Sequence, residues 1–216
     1  MILKYFTTKE DFVKSLVAIY KLIQEQFVQC PSSHSLEHTI RVAELSLSLA
    51  LEIGANVDIV VIAALLHDIA REKEKLTGSC HAEEGAKMAK DILEKMHLTV
   101  MIPDICDAIL SHRFSKNLTP SSIEGKILRD ADMLDALGTI GLYRVIHYGI
   151  EHNKNLNEII EHFYSKLLKL EHLMHFESSK KMAQERTLFL RIFVEGINDS
   201  LITSDFHSLL KQLEDR

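Results

Sequence analysis

The run Ile59-Val60-Val61-Ile62-Ala63-Ala64-Leu65-Leu66 is apolar throughout and closes on His67 and Asp68. Such a run has no polar face to offer water, so the fold must enclose it in the middle of a core. An ionisable pair at the end of a buried segment is costly unless something binds it. A metal ion is the natural partner, because neutral imidazole and carboxylate are both ligands for first-row metals.

The rest of the chain supplies the walls of that core. With only 8 Gly and 3 Pro in 216 residues, turns are few and elements should be long, which favours helices. Apolar residues make up 46% and charged residues 26%, a globular balance with enough chain for one large domain. Phe12, Leu16, Ile19, Tyr20 and Ile23 fall at helical spacing between Thr8 and Cys30, with Thr8 and Asp11 at the start. A second helix is expected from about Ser35 to Ile53, stopped by Gly54. A buried helix capped by Asn56 should reach about Arg71. The charged stretch Glu72 to Gly78 reads as a loop at the mouth of a site. Helical spacing resumes from His81 to Met96. Pro103 suits the first turn of a short helix ending near His112, and Ser121 or Ser122 opens the helix that carries Asp130 and Asp132. Gly138 and Gly141 should interrupt or bend the chain before Tyr143 to Ile150. Amphipathic helices are expected over Asn157 to Leu170, Ser178 to Gly196 and Ser204 to Leu213. There is no repeat and no convincing strand, so the sequence predicts one all-α domain over residues 1–216.

Charge and cysteine usage narrow the function classes. A formal charge of −6 without a concentrated basic tract gives no support for binding duplex nucleic acid. It leaves room for a small phosphorylated substrate, since a metal and a few local cations can reverse the field. Cys30, Cys80 and Cys106 lie in no paired motif and read as reduced thiols in a cytoplasmic protein. Met1 to Thr8 shows no secretory pattern, and no window approaches the apolar length that spans a bilayer. Cys80 adjoins His81 and reads as a bystander.

The chemistry-bearing residues recur along the chain. Upstream, His38 lies in His34-Ser35-Leu36-Glu37-His38-Thr39-Ile40-Arg41-Val42. Downstream, Asp132 lies in Leu128-Arg129-Asp130-Ala131-Asp132-Met133-Leu134-Asp135. Residues three and four apart share a helix face, so His34, His38 and Arg41 line up. His67 with Arg71, and Asp132 with Asp135, are related in the same way. Each helix offers a candidate ligand together with a neighbour able to orient it or to hold substrate. His81 opens one helix and His112 closes another. His97, His147, His152, His162, His172, His175 and His207 form no ligand spacing.

From Ser33 to Arg144 this pattern resembles the HD superfamily of metal-dependent phosphohydrolases. The resemblance implies a helical bundle with a metal-binding core over about 33–144 and a C-terminal helical extension over about 150–216. It implies metal ligation by His38, His67, Asp68 and Asp132, with Asp132 preferred to Asp130. The order His38, His67-Asp68, His81, His112, Asp132 is similar to the six-ligand arrangement of two-metal members. In that arrangement Asp68 bridges the ions and His81 and His112 serve the second. His81 is otherwise a general acid or a phosphate contact. Arg41, Arg71 and Arg113 are candidate substrate contacts, while His34, Asp130 and Asp135 are candidates to support the ligands. Many relatives have Asp where this chain has Ser35, and a basic residue where it has Met133.

The resemblance further implies hydrolysis of a small phosphorylated substrate, such as a nucleotide or related phosphoester, by metal-activated water, with Asp68 and His81 as the catalytic pair. The donor set suits Mn²⁺, Fe²⁺, Co²⁺, Ni²⁺ or Zn²⁺, as one ion or two. Two alternatives stay open: a di-iron oxygenase of the same ligand order, and a nucleotide-binding regulatory module without turnover. Oligomeric state is left open.

Overall fold

The computed structural model describes residues 4–27, 35–113, 118–201, 210–211 and 213–214. Cys30, His34 and His207, and all but the last few residues of the helix expected over Ser204 to Leu213, lie outside them. Among the described residues the chain is helical, without a strand. Helix α1 (Lys9–Phe27) begins where Thr8 Oγ1 accepts the Asp11 amide at 3.1 Å. Helix α2 (Leu36–Ile53) ends on Gly54, whose φ of 79° is the left-handed stop read from the sequence.

The central element is α3 (Val57–Leu66), in which every residue is buried. It packs against α1, α2, α6 (Ile102–Ser111) and α7 (Ile123–Asp135). Burying each large aliphatic side chain here contributes roughly 1.5–3 kcal/mol before conformational entropy is counted. The one carboxylate within it, Asp58, accepts the backbone amides of Lys4 (2.9 Å), Tyr5 (2.7 Å) and Ile59 (3.0 Å). That contact pins the segment before α1 onto the core. Asn56 precedes α3 as expected, but its side chain donates to Glu124 Oε1 at 3.0 Å instead of capping the helix.

Three local expectations are corrected. The helix carrying the apolar run stops at Leu66, and His67–Ala70 form turns. The segment expected as a mouth loop is a short helix, α4 (Arg71–Thr77), closed by Gly78 at φ 71°. It is amply charged yet short of apolar period, so i,i+3 ion pairing supports what periodicity does not show. Helix α5 (His81–Lys95) follows and packs on α4 and α6.

The third correction concerns α8 (Gly138–Glu151), which is continuous. Gly138 starts it at φ 71°, and Gly141 lets it pass close to the end of α7. A Cβ at Gly141 would lie 2.2 Å from the Ala136 carbonyl oxygen. Beyond α8 come α9 (Leu156–Ser165), with an Asn155–Glu158 capping box, a 3-10 segment (Leu167–Leu173) and α10 (Glu177–Leu201). Helix α10 lies on α7 and α8. No described helix is long and apolar enough to cross a membrane.

Candidate metal centre

Four helix boundaries and one helix interior meet at Asp68. His38 comes from the first turn of α2, His67 follows the end of α3, His81 opens α5 and His112 closes α6; Asp132 lies within α7. All four imidazoles and Asp68 are essentially inaccessible to solvent. The rings pack edge-on or tilted, with centroids 5.4 Å apart for His38–His67, 5.2 Å for His67–His112 and 5.4 Å for His81–His112.

Each ring has its Nδ1 committed to an oxygen that can only accept. His38 Nδ1 donates to Asp135 Oδ2 (2.7 Å), His67 Nδ1 to the Ala64 carbonyl (2.7 Å), His81 Nδ1 to Glu74 Oε2 (2.8 Å) and His112 Nδ1 to the Ile109 carbonyl (2.5 Å). The proton of the neutral ring therefore sits on Nδ1, which leaves Nε2 as the inward-facing lone pair. The Nε2 atoms divide between the two Asp68 oxygens. His38 (3.6 Å) and His67 (3.5 Å) face Oδ2, while His81 (3.6 Å) and His112 (3.8 Å) face Oδ1. Asp132 Oδ1 lies 3.4 Å from His38 Nε2.

These residues fit a divalent transition metal. Two donors bound about 2.1 Å from one ion at angles of about 90–130° lie about 3.0–3.8 Å apart. His67 Nε2 and His81 Nε2 are buried without a hydrogen-bond partner, the costly state that a ligated metal relieves. His38, His67 and Asp132 form one set of donors within 4.8 Å of one another, and His67, Asp68 and His112 form another. Burial, reinforced by the neighbouring His67, pushes the His112 imidazole down to about 3, so the ring is a neutral donor near pH 7.

Asp135 backs the centre. It accepts from His38, from Arg41 Nε (2.6 Å) and from Arg144 Nη1 (2.6 Å). Burial works against its charge, but the hydrogen bonds from His38 and Arg41 and the Arg144 charge hold its carboxyl well below the usual range. The geometry assigns Arg41 to Asp135 and does not place it among the residues lining the pocket, because its helix face turns toward the end of α7. Asp130 also departs from the site. Two positions from Asp132 on a helix is about 200°, and it points to the C-terminal third. There it accepts His175 Nδ1 (2.7 Å) and the His175 and Phe176 amides.

A pocket of about 640 Å³ opens over the centre, and Arg71, Arg113, Arg144, Lys166, His112 and Asp132 line it. Desolvation in this concavity and the Arg71 and Arg144 charges push the Lys166 ammonium down, against the attraction of Asp132. Arg71 and Arg113, candidate substrate contacts in the sequence, are both in this lining. Arg144, Lys166 and Glu74 were not visible in it, since none repeats a ligand spacing. Cys80 lies outside the donor groups and accepts from Arg113 Nη1 at 3.6 Å.

Residues 35–137 match the HD domain, and the chain belongs to the HD superfamily. The structure of a predicted HD superfamily hydrolase from an uncultured Thermotogales bacterium is 33% identical, covers 86% of this chain and 92% of its own, and superposes with a TM-score of 0.67. The uncharacterized protein YpgQ of Bacillus subtilis is 28% identical over 194 residues, 88% of this chain and 95% of that protein. Its structure in complex with ADP gives a TM-score of 0.69 at 25% identity over 88% of this chain and 96% of that one. Ribonuclease Y of Treponema denticola is 32% identical over 128 residues, 59% of this chain but only 23% of that protein.

Proposed function

We propose that the chain is a metal-dependent phosphohydrolase acting on a small phosphorylated substrate, a nucleotide or related phosphoester. The observation that carries this reading is the set of Nδ1-anchored imidazoles converging on Asp68 beneath a cation-lined pocket. His38, His67, Asp68 and Asp132 would hold the ion. A divalent cation bound there supplies Lewis acidity that polarises a phosphoryl oxygen and lowers the pKa of water. Arg71, Arg113, Arg144 and Lys166 bind the phosphate and offset its developing charge. Asp135 keeps His38 in the tautomer that faces inward. The buried imidazoles exclude bulk water from the base of the pocket. The ADP complex of YpgQ supports a nucleotide-sized ligand for a pocket of this volume.

The split of four imidazoles over two carboxylate oxygens keeps the di-iron oxygenase as a second reading, and the basic pocket favours the hydrolase. We place the protein in the cytoplasm, a reading supported by Cys80 and Cys106, neither of which is in a disulfide. The deciding experiment is metal analysis of protein purified without added metal or chelator, joined to a phosphate-release screen with Mn²⁺. Bound transition metal with phosphate release, both lost in His67→Ala, is the expected result. Two irons with O₂-dependent turnover and no phosphate release would replace it by the oxygenase. Neither metal nor turnover would leave a nucleotide-binding module.

A further inference from the structure

Glu74 sits on α4, in the segment whose charge pattern reads as a loop, and its carboxylate gathers three groups of the site. Oε2 accepts from His81 Nδ1 at 2.8 Å and from Arg71 Nη1 at 3.2 Å, and Oε1 accepts from Arg113 Nη1 at 3.0 Å. Arg71 also donates its Nε to Asp68 Oδ1 at 2.8 Å. That oxygen is the one faced by Nε2 of His81 at 3.6 Å and of His112 at 3.8 Å. Asp68, Arg71 and Glu74 recur every three residues, and His81 closes the circuit back to Asp68.

The circuit has one open end. With Glu74 on its Nδ1, the neutral His81 ring presents the other nitrogen as a lone pair, and that Nε2 is buried without a hydrogen-bond partner. It faces Asp68 Oδ1, while His38 and His67 face Oδ2. We propose that Glu74 is the positioning residue of a second divalent-cation site made by Asp68 Oδ1, His81 and His112. The inference rests on the metallophosphohydrolase reading of the same centre and takes its second cation from the six-ligand arrangement that the family resemblance implies; what it adds is the residue that orients His81. Because the carboxylate also fixes Arg71 and Arg113, the second cation and the phosphate contacts are set by one side chain.

The test is Mn²⁺ titration of the full chain after chelator treatment, by calorimetry and by metal analysis. Two ions per chain are expected in the wild type. Glu74→Ala should retain the first and weaken the second about 10- to 100-fold, the usual effect of removing a group that orients a metal-binding histidine. Glu74→Gln keeps an oxygen for His81 Nδ1 and should restore the second ion to within about tenfold of the wild type. His81→Ala should lose the second ion, with no further loss in the Glu74→Ala, His81→Ala double variant. With Co²⁺ as the probe, the visible spectrum should change at the second equivalent in the wild type and not in Glu74→Ala. Circular dichroism checks each fold, and Glu74→Met repeats the test with side-chain volume kept.

Two ions bound with unchanged affinity by folded Glu74→Ala and Glu74→Met would overturn the proposal. A wild type that binds one ion and still releases phosphate would overturn it while leaving the hydrolase standing. A wild type that binds no Mn²⁺ would overturn both.

Discussion

Asp68 and Arg71 are joined on one oxygen only: Arg71 Nε donates to Asp68 Oδ1 at 2.8 Å, and Oδ2 is turned toward His38 and His67. The guanidinium fixes the carboxylate plane and reaches Glu74 with another nitrogen. A lysine ammonium is a point donor and cannot span both contacts. Arg71→Lys should therefore lower kcat/KM for phosphate-ester hydrolysis about 10- to 100-fold with little loss of fold, an effect of roughly 1.4–2.7 kcal/mol. Steady-state kinetics beside circular dichroism decide it, and unchanged kinetics would remove Arg71 from the site.

Metal removal should be visible as lost stability. A cation that binds only the folded chain adds about 2.7 kcal/mol when present at 100 times its Kd. For a chain of this length that is about 5–10 °C in Tm. Thermal melts with EDTA and with excess Mn²⁺ should differ by this amount, and the difference should shrink in His67→Ala. A Tm indifferent to both reagents would contradict the metal centre.

Asp135→Asn replaces the carboxylate that His38, Arg41 and Arg144 share. The amide keeps one acceptor oxygen and adds a donor facing cations. Mn²⁺ affinity at the first site should fall about 10- to 100-fold. Calorimetry reads this directly, and an unaltered Kd would show that His38 needs no support from α7.

Lys166 belongs to the 3-10 approach after α9 and lines the pocket. Lys166→Met should raise KM for a phosphorylated substrate several-fold and leave metal stoichiometry unchanged. Its salt dependence should also flatten, since one long-range attraction is gone. A lowered metal content with unchanged KM would place Lys166 elsewhere in the mechanism.

Acid should loosen the attachment of α4 to α5. Hydrogen bonds from Lys73 and Lys87, each 2.6 Å, lower the Glu84 carboxyl to about 2. A carboxylate depressed in the folded state stabilises above its unfolded pKa and loses that contribution as pH falls through the folded value. The window runs from about pH 4.3 down to about pH 2. Glu84→Gln should flatten the acid limb of a Tm-against-pH curve there. An identical limb in both proteins would show that the contact is worth nothing to the fold.

How much of this was legible follows from where information is local. The buried run ending at His67 and Asp68 announces itself, because burial of an apolar run and the cost of an ionisable pair are both written in adjacent residues. The starts at Thr8 and Ser122 and the stop at Gly54 are local as well. Asp130, Asp132 and Asp135 are a different matter. Helical phase separates Asp130 from Asp132 and Asp135, but only the tertiary partners say which face looks inward: His175 claims Asp130, and His38 with Arg41 and Arg144 claims Asp135. Glu74 was hidden for a related reason. Its helix is seven residues long with no buried face, so nothing in its sequence distinguishes it from a solvated loop.

Among the described residues, the hydrogen-bond donors to the buried Asp130 carboxylate come from residues 175 and 176, well past the last position matched by the HD domain. A chain cut at residue 137 would keep the matched stretch and every candidate ligand, yet leave that carboxylate stripped of these partners. Losing one side of a buried charged contact costs about 3–5 kcal/mol, a large share of a domain's whole stability. The end of the matched HD domain and the boundary of what can fold alone are thus different places in this chain. A minimal fragment for crystallography or library work has to be drawn by the second.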